Sequence, residues 1–78
     1  MSGATVTASY LLGIRDERAL LREMVARGDD LAREAPAMLA SIEATLARGF
    51  SGETAEYMRG GRDFWRNQCA KLQAPPYR

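Results

Sequence analysis

Apolar residues return every three or four positions along most of this chain, and the runs are broken at glycine and proline. From about Ser9 to Arg27 that period collects Tyr10, Leu11, Ile14, Leu20, Leu21, Met24 and Val25 on one side of a helix. Arg15, Asp16, Arg22 and Glu23 lie mainly opposite. Ser9 or Thr7 offers a side-chain oxygen to the free N–H groups at the start, and Gly28 supplies a left-handed stop. Gly13 costs about 1 kcal/mol relative to alanine inside such a helix, which leaves the continuity of its first turns open.

The second run is harder to place. Asp29 and Asp30 are cap candidates, but Pro36 has no N–H to give to the carbonyl four residues back. The simplest solution starts the main helix near Ala35, with Pro36 in its first turn, and makes residues 30–34 a separate short turn. Met38, Leu39, Ile42 and Leu46 then form its apolar stripe; Gly49 stops it after Arg48, with Phe50 packing back over the end.

Ser51 caps a third helix whose positive N-terminal end carries Glu53 and Glu56. Tyr57, Met58, Phe64, Trp65, Cys69 and Leu72 gather on one side, and Arg59, Arg62, Asp63 and Arg66 on the other. Gly60-Gly61 sits mid-helix at a cost of about 2 kcal/mol relative to alanines, which calls for a kink or for close approach by another helix. Pro75-Pro76 ends the fold and leaves an extended tail over 74–78. The pattern predicts a single all-α domain over 1–78. It is a small three-helix bundle, or a helical hairpin plus a third helix, with helices over about 9–27, 35–48 and 52–73.

Composition narrows the chemistry. The 78 residues are 46% apolar and 27% charged, so the chain is globular in type, with room for one marginal core. Histidine is absent, and with it the commonest general base and metal ligand. The lone Cys69 excludes an internal disulfide and a cysteine-rich zinc site, and no base stands by to make it a nucleophile. The carboxylate pairs Asp29/Asp30 and Glu53/Glu56 match no calcium or two-metal spacing and read as helix starts. No Gly-rich strand-to-helix loop supports nucleotide hydrolysis. The expectation is a non-enzymatic protein without metal or cofactor.

The net charge of +1 averages two unlike parts: residues 1–56 carry six arginines against nine acids, while residues 57–78 carry five cations against Asp63. Such asymmetry suits self-association or a partner of mixed charge; solvated helix faces explain it equally. Met1–Tyr10 has no basic start followed by an apolar run, and no stretch approaches the ~18 apolar residues of a membrane span. With a free thiol, a reducing cytoplasm is the expected compartment.

Three clusters are candidate contact surfaces. Phe64-Trp65 with Tyr57, Arg62 and Arg66 has the composition of a binding hot spot, or else is the core of the third helix. Arg59, Arg62 and Arg66 form one basic ridge at helical spacing, Arg15, Arg18 and Arg22 another, the latter interleaved with Asp16, Glu17 and Glu23. Glu17 and Arg18 intrude on the apolar side of the first helix, where polar residues fix register in an oligomer interface or snorkel to the rim. Phe64–Lys71 superficially resembles a homeodomain recognition helix. The basic run after Asn67 is missing and no basic arm precedes the first helix, so nucleic acid is not the expected partner.

Three stretches carry a further resemblance. Ala8–Arg15, Ala44–Phe50 and Arg59–Gln68 look like small helical accessory proteins of transposable and temperate bacteriophages of Pseudomonas and similar GC-rich hosts. The resemblance implies an early phage protein that binds and disables a host protein: an anti-CRISPR protein, a quorum-sensing anti-activator, or another anti-defence factor. It equally admits a sponge for a defence signalling nucleotide, a small DNA-binding regulator or a self-associating assembly subunit. The expected partner-binding residues are Arg15, Arg18, Arg22, Arg59, Arg62, Trp65 and Arg66. The first helix has more apolar surface than two short neighbours cover, so a homodimer is expected, joined through Tyr10, Leu11, Ile14, Leu21, Gly60 and Gly61.

Overall fold

The computed structural model describes residues 6–73. They form three helices, α1 (Ala8–Arg27), α2 (Leu31–Ala47) and α3 (Gly52–Gln73), and no strand occurs among the described residues. The chain is an all-α three-helix bundle, as its periodicity predicts. The expected tail over 74–78 lies outside the described residues.

α1 runs unbroken through Gly13. The Thr7 hydroxyl accepts from the Tyr10 N–H at 3.1 Å and caps it. At its other end Gly28 takes φ 79°; its N–H reaches the Val25 carbonyl and the Asp29 N–H reaches that of Met24, both at 3.0 Å. That paired arrangement satisfies two of the carbonyls a helix end leaves open.

α2 corrects the sequence reading. It begins at Leu31, not near Ala35, and Pro36 lies inside it. Asp30 is its cap residue, through its backbone carbonyl and not its side chain. Leu31 and Ala35 stand one turn apart on the core-facing side, with Ala35 buried and Leu31 packed on the cluster. Burying that turn offsets the one hydrogen bond Pro36 cannot make, whose acceptor, the Ala32 carbonyl, belongs to an exposed residue. Gly49, at φ 96°, follows the end of α2, and Phe50 beyond it is 40% exposed.

α3 is the middle helix. α1 and α2 each pack along it and have little backbone proximity to one another. α2 is antiparallel to α3: Pro36 lies near Gln73, and Glu43 meets Arg66 at 3.2 Å. α1 runs in the same direction as α3, since Thr7–Ser9 borders Gly52–Glu56 at one end and Met24 clusters with Cys69 at the other.

The buried cluster is Met24, Ala35, Phe64, Trp65 and Cys69, with partly buried residues such as Ile14, Leu20, Leu39 and Ile42 packed around it. Phe64 and Trp65 point about 100° apart on a helix, yet both are buried, because α3 has a neighbour on two sides. Their rings meet edge to face, with centroids 5.2 Å apart. The Cys69 thiol is free and buried, a small apolar group in the core.

Candidate functional site

The α1–α3 seam is built from one motif used twice. Ala8, Tyr10, Gly13, Arg15 and Asp16 recur as Ala55, Tyr57, Gly60, Arg62 and Asp63 at the same internal spacing. The two copies face each other reciprocally. A Cβ on Gly13 would overlap the Tyr57 carbonyl oxygen, and one on Gly60 would overlap that of Tyr10. The Tyr10 hydroxyl donates to Asp63 at 2.5 Å, and the Tyr57 hydroxyl donates to Asp16. In each copy the arginine pairs with the next residue: Arg15 with Asp16 at 3.3 Å and Arg62 with Asp63 at 2.9 Å. Two co-directional helices joined this way are related by an approximate two-fold axis running between them. Bare of side chains, Gly13 and Gly60 let backbone meet backbone, and Gly61 makes room for the Glu17 side chain.

The tyrosine–carboxylate pairs shift both partners. Each phenol titrates above its ordinary value, chiefly because its hydroxyl donates to a carboxylate. The hydrogen bond from Tyr57 holds the Asp16 carboxyl below the usual range. Burial works to raise that of Asp63, but donors from Tyr10 and Arg62 and the charges of Arg62 and Arg66 outweigh it, and the net shift is downward.

These contacts place several of the sequence candidates inside the molecule. Trp65 is wholly buried, and its indole N–H donates to Glu17 at 2.8 Å across the seam, so it is no part of a contact surface. Glu17 fixes register, but between α1 and α3 of one chain. Gly60 and Gly61 are covered by the chain's own first helix, Tyr10 is engaged with Asp63, and Ile14 and Leu21 pack on the core cluster. Of the six positions expected to join two copies, Leu11 is the one left largely bare, at 55% exposure. The room expected for a second copy at Gly60-Gly61 is taken by α1.

The two arginine ridges differ. On α3 every arginine has an acid: Arg59 meets Glu56 at 2.6 Å, Arg62 meets Asp63, and Arg66 meets Glu43. On α1, Arg15 is paired with Asp16, whereas Arg18 and Arg22 have no ion pair among the described residues. All three α1 arginines are exposed and share the outer side of the helix with Leu11 and Val25, 55% and 57% exposed. Asp16 and Glu23 lie off that side. The outer face of α1 is therefore basic and apolar at once.

Three recesses mark the surface of the described residues, one of about 370 Å³ lying where Thr7–Ser9 borders Gly52, Glu53 and Glu56. A groove of about 380 Å³ between α2 and α3 has Leu39, Cys69 and Ala70 in its wall, and its one cation, Arg66, is held by Glu43. A smaller recess of about 140 Å³ is lined by Glu17, Ile42, Thr45, Tyr57, Met58 and Gly61. Among the described residues no three acidic or thiol side chains are grouped to hold a metal ion, and no helix is long and apolar enough to cross a membrane. Comparison with known proteins gives no match to a family model, a curated protein or a solved structure.

The sequence carries the signal of this repeat: six matching residues, from Thr7/Thr54 to Asp16/Asp63, recur at an offset of 47. The mid-helix cost at Gly60-Gly61 points to a kink or a close approach, and the structure shows the close approach; that Gly13 is its counterpart follows only when the two helices are aligned.

Proposed function

We propose that this chain is a non-enzymatic inhibitor that works by occupying a host protein in the cytoplasm, in the manner of small phage-encoded anti-defence factors, and that it binds through the outer face of α1. One observation carries the reading: Arg18 and Arg22 stand exposed beside Leu11 and Val25 with no ion pair among the described residues, while Arg59, Arg62 and Arg66 of α3 each meet an acid. Arginine beside exposed apolar side chains is the composition that concentrates binding energy at protein interfaces. A phosphate ligand is less well served: Arg66 in the larger groove is already engaged by Glu43.

The test is affinity capture from lysate of a GC-rich bacterial host, with the wild-type chain and with Arg18→Glu/Arg22→Glu as bait. A stoichiometric partner retained by the first and lost by the second is the expected result. Capture that survives the charge reversal moves the contact surface off α1. A nucleotide that raises the melting temperature while no protein is captured replaces the inhibitor reading with a ligand sponge.

A further inference from the structure

The two-fold relating α1 to α3 pairs each position on one helix with a position on the other. Leu11, Ile14, Arg18, Arg22 and Val25 of α1 correspond to Met58, Gly61, Trp65, Cys69 and Leu72 of α3. On α3 this row is where α2 lies. Met58 and Gly61 share a recess with Ile42 and Thr45, Cys69 borders a groove with Leu39, and Trp65 is fully covered; Leu72, at the end of the row, is exposed. On α1 the same row is uncovered: Leu11 and Val25 are more than half exposed, Arg18 and Arg22 are exposed, and Ile14 is half-buried. One copy of the motif has its outer helix and the other does not.

We infer that this row of α1 seats one further helix, supplied by the partner protein and running antiparallel to α1 as α2 runs antiparallel to α3. The inference rests on the binding reading above and specifies its partner. The incoming helix presents apolar residues at three- and four-residue spacing to Leu11, Ile14 and Val25, the helix-in-groove mode of recognition. It carries carboxylates on its flanks to meet Arg15, Arg18 and Arg22. The fold holds a precedent for such a cross-helix pair in Arg66 of α3 and Glu43 of α2. A second copy presenting its own α1 face does not fit the seat: it would set the unpaired Arg18 and Arg22 of one chain against the same two of the other.

The full chain, labelled with nitrogen-15, is titrated with a designed amphipathic helix of α2's length, 17 residues, carrying leucines on one side and glutamates along both flanks. Saturable one-to-one shifts confined to amides of residues 11–25 are expected. A peptide with lysine for every glutamate produces none, and Arg18→Glu/Arg22→Glu weakens the glutamate peptide about tenfold or more. Shifts in the α2–α3 groove, or none at all, overturn the seat. Light scattering at dimer mass with broadened α1 amides also overturns it, giving the face to a second copy. Lysate capture that depends on Arg18 and Arg22 without peptide binding leaves the inhibitor reading standing and removes the helical seat. Peptide binding without a captured host protein does the reverse.

Discussion

Gly13→Ala tests the seam most directly. In an isolated helix the change gains about 1 kcal/mol of propensity. Here the new methyl would overlap the Tyr57 carbonyl oxygen, a backbone atom that cannot rotate away, with the Gly61 nitrogen close behind at 3.1 Å. α1 and α3 must part by roughly an ångström to relieve it. Overpacking of this kind costs about 1–3 kcal/mol. Separation also lengthens the Tyr10–Asp63 and Trp65–Glu17 hydrogen bonds, where each bond to a charged group contributes about 1.5–3 kcal/mol before screening at the rim reduces it. Set against the propensity gain, the net loss is about 2–3 kcal/mol, which lowers the melting temperature by roughly 10–20 °C for a domain this small. Circular dichroism at 222 nm, followed with temperature and with urea, measures it. A Gly13→Ala protein as stable as the wild type refutes the close-approach argument, because propensity would then be the term that counts. Gly60→Ala should cost a similar amount, and the double variant less than the sum, since the first methyl has already parted the helices.

Trp65→Phe leaves the Glu17 carboxylate without its indole donor and opens space beside Phe64, so a loss of about 2–3 kcal/mol is expected by urea denaturation. Pro36→Ala restores the hydrogen bond to the Ala32 carbonyl and should raise the melting temperature, by about 1–2 kcal/mol of stability after allowing for a more flexible unfolded chain; a fall would show that the ring's packing outweighs the bond. The carboxyls of Asp16 and Asp63, held low in the fold, stabilise it above their unfolded value near about 4, and that contribution is lost as pH falls through their folded values; the raised phenols of Tyr10 and Tyr57 contribute below their unfolded value near about 10 and lose it as pH rises beyond. Unfolding free energy against pH should therefore drop at both ends, with a shallower acid limb in Asp63→Asn and a shallower alkaline limb in Tyr10→Phe.

Much of the architecture was legible because helical periodicity and glycine stops are local signals. The spans of α1 and α3, the Thr7 cap and the Gly28 turn all follow from residues within a few positions of one another. The start of α2 was misplaced because a proline weighs heavily in local reasoning, whereas burial of Leu31 and Ala35 against distant residues decided the outcome. The site was less legible. Trp65 and Arg66 look alike as surface candidates until the position of α2 is known; one then proves buried and the other paired with Glu43. Arg59 and Arg62 find their acids within α3, at spacings the sequence displays; only Arg66 meets an acid on another element, Glu43, and periodicity is blind to that pair.

The order of the helices along the chain bears on how the protein is made. The helix that both others need follows them in the chain. Until α3 has left the ribosome, α1 and α2 have little to hold them together, and neither can bury its apolar side against the other. A premature stop anywhere before the Phe64–Cys69 segment yields two loose amphipathic helices, open to proteases, in place of a weakened bundle.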